Sequence, residues 1–283
     1  MKIGVDLGGT NIRAGLIDNN FMVTLKSSLL NNQENLDSTL EQIISTIRSV
    51  HNAGITGIGI GVPSVVDIDK GIVYDVVNIP SWKEVPLKEI LGREFNVPIF
   101  INNDVNCFVL GEKYFGFGKN HKSFVGITIG TGIGSGILID NKLYNGRNGG
   151  AGEIGYLPYL DHDFEYYCSS NFFKMEHQTD GYQAYQGAKK NDPRALKLWT
   201  EFGHHVGNAL KSVFYVYDPE AIILGGSIVK AYPYFQEQMK TTLKDTHFPK
   251  SVELLKIYES EIENVTILGA AALVEQYEEN TIT

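Results

Sequence analysis

The chain has 283 residues, 43% of them hydrophobic and 20% charged. That is room for two domains of about 150 residues or one large one, and it excludes a small scaffold and wholesale disorder. A formal net charge of −9, from 24 basic and 33 acidic residues, repels nucleic acid and anionic lipid unless a basic patch overrides it, and none is legible. Cys107 and Cys168 are the only cysteines and Asp6 interrupts the first apolar run, so the expectation is a soluble cytoplasmic protein without signal peptide, membrane span or disulfide framework.

In chain order, Lys2 to Asp6 alternates as a strand, Gly8 and Gly9 form a turn, and Ile12 to Ile17 returns as a second strand. Leu36 to Val50 places Leu36, Leu40, Ile43, Ile44 and Ile47 at helical spacing, and Gly54 stops that helix. ITGIGIGVPSVVD then reads as a buried strand entering a tight Gly-Pro turn. Residues 86–95 read as helix, and Val97 to Asn102 as a strand that delivers Asn103 and Asp104 to the start of another helix.

From Phe124 to Tyr144 the design of the N-terminus repeats: a strand, a turn at Gly130, Thr131 and Gly132, and a returning strand. Leu16-Ile17-Asp18-Asn19 is matched by Leu138-Ile139-Asp140-Asn141, and Asp218 to Val229 repeats the earlier strand and glycine turn. Between them, Leu196, Trp199, Phe202, Val206, Leu210 and Val213 mark a long packed helix over Ala195 to Tyr217. The simplest account is a duplicated β-hairpin/α/β unit, giving two α/β lobes whose glycine turns face one cleft suited to a phosphorylated ligand.

Two familiar nucleotide motifs fail. Gly118-Lys119 is followed by Asn120, so there is no Walker loop, and the Gly130 to Gly136 run continues into strand with Ser135 where a dinucleotide fingerprint needs its third glycine. What remains is a hairpin turn exposing backbone N–H groups, with Thr10 and Thr131 adding hydroxyls, an anion nest made without a helix terminus. Asp6, directly before the first turn, reads either as a turn-capping residue or as a carboxylate holding Mg²⁺ through water. Asp104 reads either as a helix N-cap or as a base accepting a proton from a substrate hydroxyl, with Asn103 beside it for a neighbouring hydroxyl.

Seven ordered motifs together resemble the ROK family of sugar kinases, within the actin/hexokinase-like superfamily of ATPases. They are DLGGTNIRAGLID, GVPSVVD, VNIPSW, NNDVN, GITIGTGIGSGIL, GGAGEIGY and LGGSIV. The resemblance implies a two-lobed actin-like, ribonuclease H-like α/β fold with a duplicated mixed sheet and helices on both faces. The lobes are expected at residues 1–116, completed by a C-terminal helix over 268–283, and at 117–267. It implies MgATP-dependent phosphoryl transfer to a hexose or N-acylhexosamine. In it Asp104 is the base, and Ser64, Asn78, Asn103, Glu153, Tyr156 and Glu176 serve the sugar. Asp6, Gly8, Gly9, Thr10, Asn11, Gly130, Thr131 and Gly132 serve the phosphates, Gly225 and Gly226 lie near the adenosine, and Asp6 serves Mg²⁺. A homodimer or homotetramer is the family's expectation.

The chain departs from the family in the segment that follows. Tyr156 stands where the family has the histidine of a structural zinc site, and of the cysteine cluster only Cys168 survives, with Phe173 or Lys174 near the last cysteine position. One thiol cannot assemble a tetrahedral site, so no zinc is expected. Tyr166, Tyr167, Phe172 and Phe173 are candidates for a hydrophobic staple in its place, and His162 and His177 read as lone surface residues. Glu176 aligns only with a one-residue shift, Ser64 replaces a glycine, and neither His204 nor His205 is given a catalytic role. The runner-up is a catalytically reduced sugar-binding ROK protein acting as a regulator or sensor. The first hairpin begins at residue 2, which leaves no expectation of a DNA-binding region ahead of it.

Overall fold

A computed structural model describes residues 1–147 and 149–282, with side chains through residue 276. The chain opens as a meander of β1 (Lys2–Leu7), β2 (Asn11–Asp18) and β3 (Phe21–Leu29). β1 pairs antiparallel with β2, and β2 with β3. The first pair follows the alternating apolar pattern. The third strand escaped it because its outward residues Phe21, Val23 and Leu25 are exposed hydrophobics that blur the alternation.

After α1 (Leu36–Arg48), capped by the Asn35 side chain accepting the Ser38 N–H at 2.9 Å, β4 (Gly57–Val62) runs parallel to β1. A small sheet of β5 (Val66–Asp67), β6 (Ile72–Tyr74) and β7 (Glu84–Val85) follows. Then come α2 (Leu87–Phe95), β8 (Ile99–Asn103), parallel to β4, and α3 (Asp104–Phe115).

The second half begins with β9 (Phe124–Ile129), β10 (Ile133–Ile139) and β11 (Lys142–Leu143). The hairpin β12 (Pro158–Tyr159) and β13 (His162–Asp163) leads into the short α4 (Phe164–Tyr167), a π-helical turn over Phe172–Glu176, and α5 (Gly181–Lys189). The long helix is α6 (Pro193–Tyr217), with Asp192 as N-cap. Of its expected stripe, Trp199, Phe202, Val206, Leu210 and Val213 are buried, while Leu196 is half-buried and its neighbour Ala195 takes the buried place. β14 (Ala221–Gly225), α7 (Tyr232–Lys244), α8 (Pro249–Leu254), β15 (Lys256–Glu259) and α9 (Val265–Ile282) complete the chain. Thr283, the end of the expected 268–283 helix, lies outside the described residues.

The duplication is visible in strand order. One sheet runs β3-β2-β1-β4-β8 and the other β11-β10-β9-β14-β15, each an antiparallel hairpin (β1-β2, β9-β10) with a third strand on its outer edge and two parallel strands on the other side. The chain forms two compact units, one of residues 1–119, 143–151 and the stretch from Glu261, the other of residues 120–142 and 152–260. The excursion of 143–151 into the first unit departs from the expected partition. It follows from Asn145, whose Oδ1 accepts the Asn102 amide at 3.1 Å and the Asn106 amide at 3.3 Å.

In the first unit Ile3, Val5 and Leu7 point to one face of the sheet and share a core with Ile43 and Ile47 of α1, each fully buried side chain contributing roughly 1.5–3 kcal/mol. α9 lies directly on the other face, because Gly4 and Gly59 carry no Cβ that would collide with the backbones of Ile267 and Ala270. α9 also packs along α3, fixing the start of α3 above the strand ends.

Candidate functional site

The register of the first sheet aligns Asp6 of β1 with Gly61 of β4, and Gly61 with Asn102 of β8. All three lie toward the carboxyl ends of parallel strands, where open α/β sheets present ligands. A β-carbon built on Gly61 would stand 3.3 Å from the Cα of Asp104 and 3.2 Å from Cys107 Sγ. Asp104 therefore sits over Gly61, one strand from Asp6, and sequence-distant residues 6, 61 and 104 converge in one unit.

The capping role falls on Asn103 and not on Asp104. Asn103 has extended backbone angles, φ −61° and ψ 147°, and its Oδ1 accepts the Val105 N–H at 2.8 Å. Asp104 is the first helical residue, and its Oδ1 accepts the same N–H at 2.9 Å. The Asn103 amide also donates to the Ser64 carbonyl at 3.3 Å, while the Ser64 hydroxyl donates to the Tyr74 carbonyl. Both side chains expected at a sugar are thus held by backbone partners, which orients them and occupies part of their bonding capacity. Asn78 is brought to the first glycine turn, its Cγ 2.9 Å from the point a Cβ on Gly9 would occupy.

An open hollow of about 450 Å³ at that turn is lined by Asp6, Gly8, Thr10, Asn11, Arg13 and Ser27. Gly8 spends its N–H on the Asn11 carbonyl at 2.8 Å, so this group closes the turn and is not offered to an anion. Asn11 donates its amide to Thr10 Oγ1 at 3.1 Å. The carboxylate of Asp6 is not a turn cap. Its Oδ2 accepts Arg13 Nε at 3.1 Å and also pairs with Arg13 Nη2, and Arg13 Nη1 donates to Asn264 Oδ1 at 3.3 Å. The signal for Arg13 was available, since the strand pairing that follows a short turn sets Asp6 opposite Arg13.

In the second unit the Gly130 N–H donates to the Gly132 carbonyl at 2.9 Å, closing the turn between β9 and β10. Ser170 donates its N–H to the Gly130 carbonyl at 2.9 Å and its hydroxyl to the Thr131 carbonyl at 3.1 Å. Gly225 and Gly226 end β14 beside the same turn. Gly226 has φ +94°, and a Cβ there would be 2.7 Å from the Ile129 nitrogen. Gly130 touches this loop less tightly, its Cβ position 3.4 Å from Ser227 Oγ.

Gly152 takes both the N–H and the hydroxyl of Ser135 on its carbonyl, at 3.2 and 2.7 Å, and presents Glu153 next. Burial and the charge of Glu165 push the Glu153 carboxyl above its ordinary range. Tyr156 is 66% exposed, and Glu165 is the main cause of its raised phenol. Glu176 is exposed at the π-helical turn and accepts the Tyr166 hydroxyl at 2.7 Å. Glu165 and Ser170 carry no sequence signal of their own, since neither belongs to a glycine motif.

An aromatic cluster fills the departing segment. Cys168, Phe172 and Phe173 are fully buried, with Phe172 and Phe173 packed edge to face at 5.1 Å and Phe173 against Trp199 at 4.8 Å. Burial raises the Cys168 thiol well above its ordinary range, opposite to what a thiolate ligand needs. His177 is no lone surface residue. Its ring packs on Phe172 at 4.7 Å and its Nε2 lies 3.7 Å from Glu201. His162 stacks on Tyr166 at 3.9 Å. Among the described residues no group of three or more His, Cys, Asp or Glu could hold a metal ion.

The ROK family model matches residues 2–277. The chain is 29% identical to the glucokinase of Thermotoga maritima, over 97% of each chain. It is also 29% identical to the xylose repressor of Bacillus spizizenii, over 96% of this chain and 76% of the repressor. Among solved structures, the ROK family glucokinase of Streptomyces griseus in complex with glucose and AMPPNP superposes with a TM-score of 0.84 at 24% identity, covering 97% of this chain and 99% of that one. The mixed α/β fold is that of the actin-like ATPases, and the chain belongs to the ROK family.

Proposed function

We propose that the chain is an ATP-dependent sugar kinase, transferring the γ-phosphoryl group to a hydroxyl of a hexose or N-acylhexosamine with Asp104 as general base. The observation that carries this reading is the seat of Asp104 over Gly61, one strand from Asp6 and its glycine turn. A carboxylate held at the start of a buried helix can accept a proton from an alcohol presented beside it. The pinned Asn103 and Ser64, with Asn78 at Gly9, are the sugar contacts in this reading on the first unit. Glu153, Tyr156 and Glu176 are those on the second.

Phosphoryl transfer asks the protein mainly for position and for donors around the phosphates. Gly9, Thr10, Asn11 and Arg13 supply these at the first turn, and Thr131 and Gly132 at the second, where Gly130 spends its N–H on closing the turn, with Gly225 and Gly226 nearest the adenosine. A single carboxylate, Asp6, already paired with Arg13, suits a Mg²⁺ ion that arrives with the nucleotide and is held through water, not a resident ion. When bound, that ion neutralises phosphate charge.

Twenty-nine per cent identity to a xylose repressor supports a second reading, a sugar-responsive sensor without turnover. Coupled ADP release over a panel of hexoses and N-acylhexosamines separates the two. Turnover on one sugar class supports the kinase, and saturable sugar binding without turnover supports the sensor. A cytoplasmic homodimer or homotetramer is part of the proposal. No helix among the described residues is long and apolar enough to cross a membrane.

A further inference from the structure

The helix that carries Asp104 starts on a network of three asparagine side chains from distant parts of the first unit. Asn102 and Asn106, two positions to either side of Asp104, are 3% and 2% exposed. One backbone group sets the direction of every bond among them. The Asn103 N–H can only donate, so the Asn102 atom 2.8 Å from it is the oxygen Oδ1. That leaves Asn102 Nδ2 to donate, which it does to Asn145 Oδ1 at 3.1 Å. Asn106 Nδ2 lies between the two oxygens, 2.8 Å from Asn102 Oδ1 and 3.3 Å from Asn145 Oδ1. Asn145 serves this network as an acceptor and Asn106 serves it as a donor.

Asn145 is fixed by its own loop. Its carbonyl accepts the Ala151 N–H at 3.3 Å, and Gly149, at φ +76°, is so close to β5 that a Cβ there would be 2.4 Å from the Val66 carbonyl oxygen. Two residues before Val66, the Ser64 carbonyl takes the Asn103 amide. The backbone at Asp104 is therefore held through Asn102 before it and Asn106 after it. Stability alone does not favour this arrangement, because Asn106 Oδ1 is buried without a partner among the described residues, a cost that an apolar contact would avoid.

We infer that Asn102, Asn106 and Asn145 are positioning residues that fix the strand-to-helix junction at Asn103 and Asp104, so that the base meets the acceptor hydroxyl in one orientation. The inference rests on the kinase reading and adds residues to it. A base displaced by a fraction of an ångström loses rate while the nucleotide turn stays intact.

The test is steady-state turnover of the full chain and its Asn145→Ala, Asn145→Asp and Asn106→Asp variants on the best sugar, well below their melting temperatures, with MgADP affinity titrated alongside. Asn145→Ala removes the shared acceptor, and its kcat is expected to fall about tenfold, the scale of one net hydrogen bond, with native MgADP affinity. Asn145→Asp keeps an acceptor and retains most of its turnover. Asn106→Asp sets a carboxylate against two oxygens and loses at least as much as Asn145→Ala. A merely structural role would lower the melting temperature and leave kcat native, and that outcome overturns the inference. So does a loss in Asn145→Asp as large as in Asn145→Ala, native kcat in Asn106→Asp, or a parallel loss of MgADP affinity. If Asn145→Ala does not fold, Asn145→Leu, which keeps the volume, takes its place, and failing that the two aspartate variants decide. If the unaltered chain turns over no sugar, the kinase reading fails and the inference fails with it. Native turnover with indifferent variants overturns the inference alone.

Discussion

The α-carbon of Asp104 lies 3.3 Å from the place where Gly61 would carry a side chain. A methyl group at that position presses on the helix start, which must yield by a few tenths of an ångström. Gly61→Ala is expected to cost about 1–3 kcal/mol, the range for overpacking a tight interior. Because the displaced atom belongs to Asp104, turnover falls further than sugar or nucleotide affinity. Chemical denaturation and steady-state kinetics on the same preparation check this split.

Arg13 and Asp6 form a second test. The Asp6 side chain is 15% exposed and that of Arg13 40%, so the pair is half-screened and removing one partner is worth about 1 kcal/mol in stability. Arg13→Gln is predicted to lower the denaturation midpoint by that modest amount. Nucleotide affinity weakens more, since the guanidinium also lines the hollow at the glycine turn. Titration with MgADP at two salt concentrations reads the effect.

His205 gives the protein an acid limit. Burial lowers its imidazole from 6.5 to about 4, with His204 and His177 adding repulsion and Glu176 opposing them. The rings of Tyr159, Tyr167 and Phe172 pack around it, and the Tyr159 hydroxyl lies 3.1 Å from Nδ1. Below pH 6.5 the unfolded chain takes up a proton that the folded chain refuses until about pH 4. Stability therefore falls across that window and levels off beneath it, by on the order of 3 kcal/mol. His205→Gln is expected to flatten the dependence of the melting temperature on pH over the same interval.

The aromatic cluster should behave as a core. Phe172→Ala leaves a cavity among Phe173, Phe202 and His177, and its predicted cost is about 3–5 kcal/mol. Dialysis of the unaltered chain against a strong chelator leaves the melting temperature where it was.

Much of this was legible in the amino-acid order, and the exceptions have physical reasons. The duplicated hairpins announce themselves through alternation and glycine, and Asp104 through its place after VPIFIN. Which of Asn103 and Asp104 caps α3 was not legible, because both residue types cap well and only the backbone angles decide. The edge strand β3 hid behind exposed apolar side chains. The 143–151 excursion depends on Asn145 meeting Asn102 and Asn106, a contact across some forty positions that no local pattern encodes. Ser170 binds backbone carbonyls of a turn some forty positions away, so only tertiary structure brings it there.

The central claim is that Asp104 takes the proton of the acceptor alcohol. ADP release by Asp104→Asn, measured beside the unaltered chain on its best sugar, tests it most directly. Turnover reduced about a hundred- to ten-thousand-fold, with sugar and nucleotide affinities and melting temperature retained, is the predicted result. Near-native turnover in that variant would contradict the account.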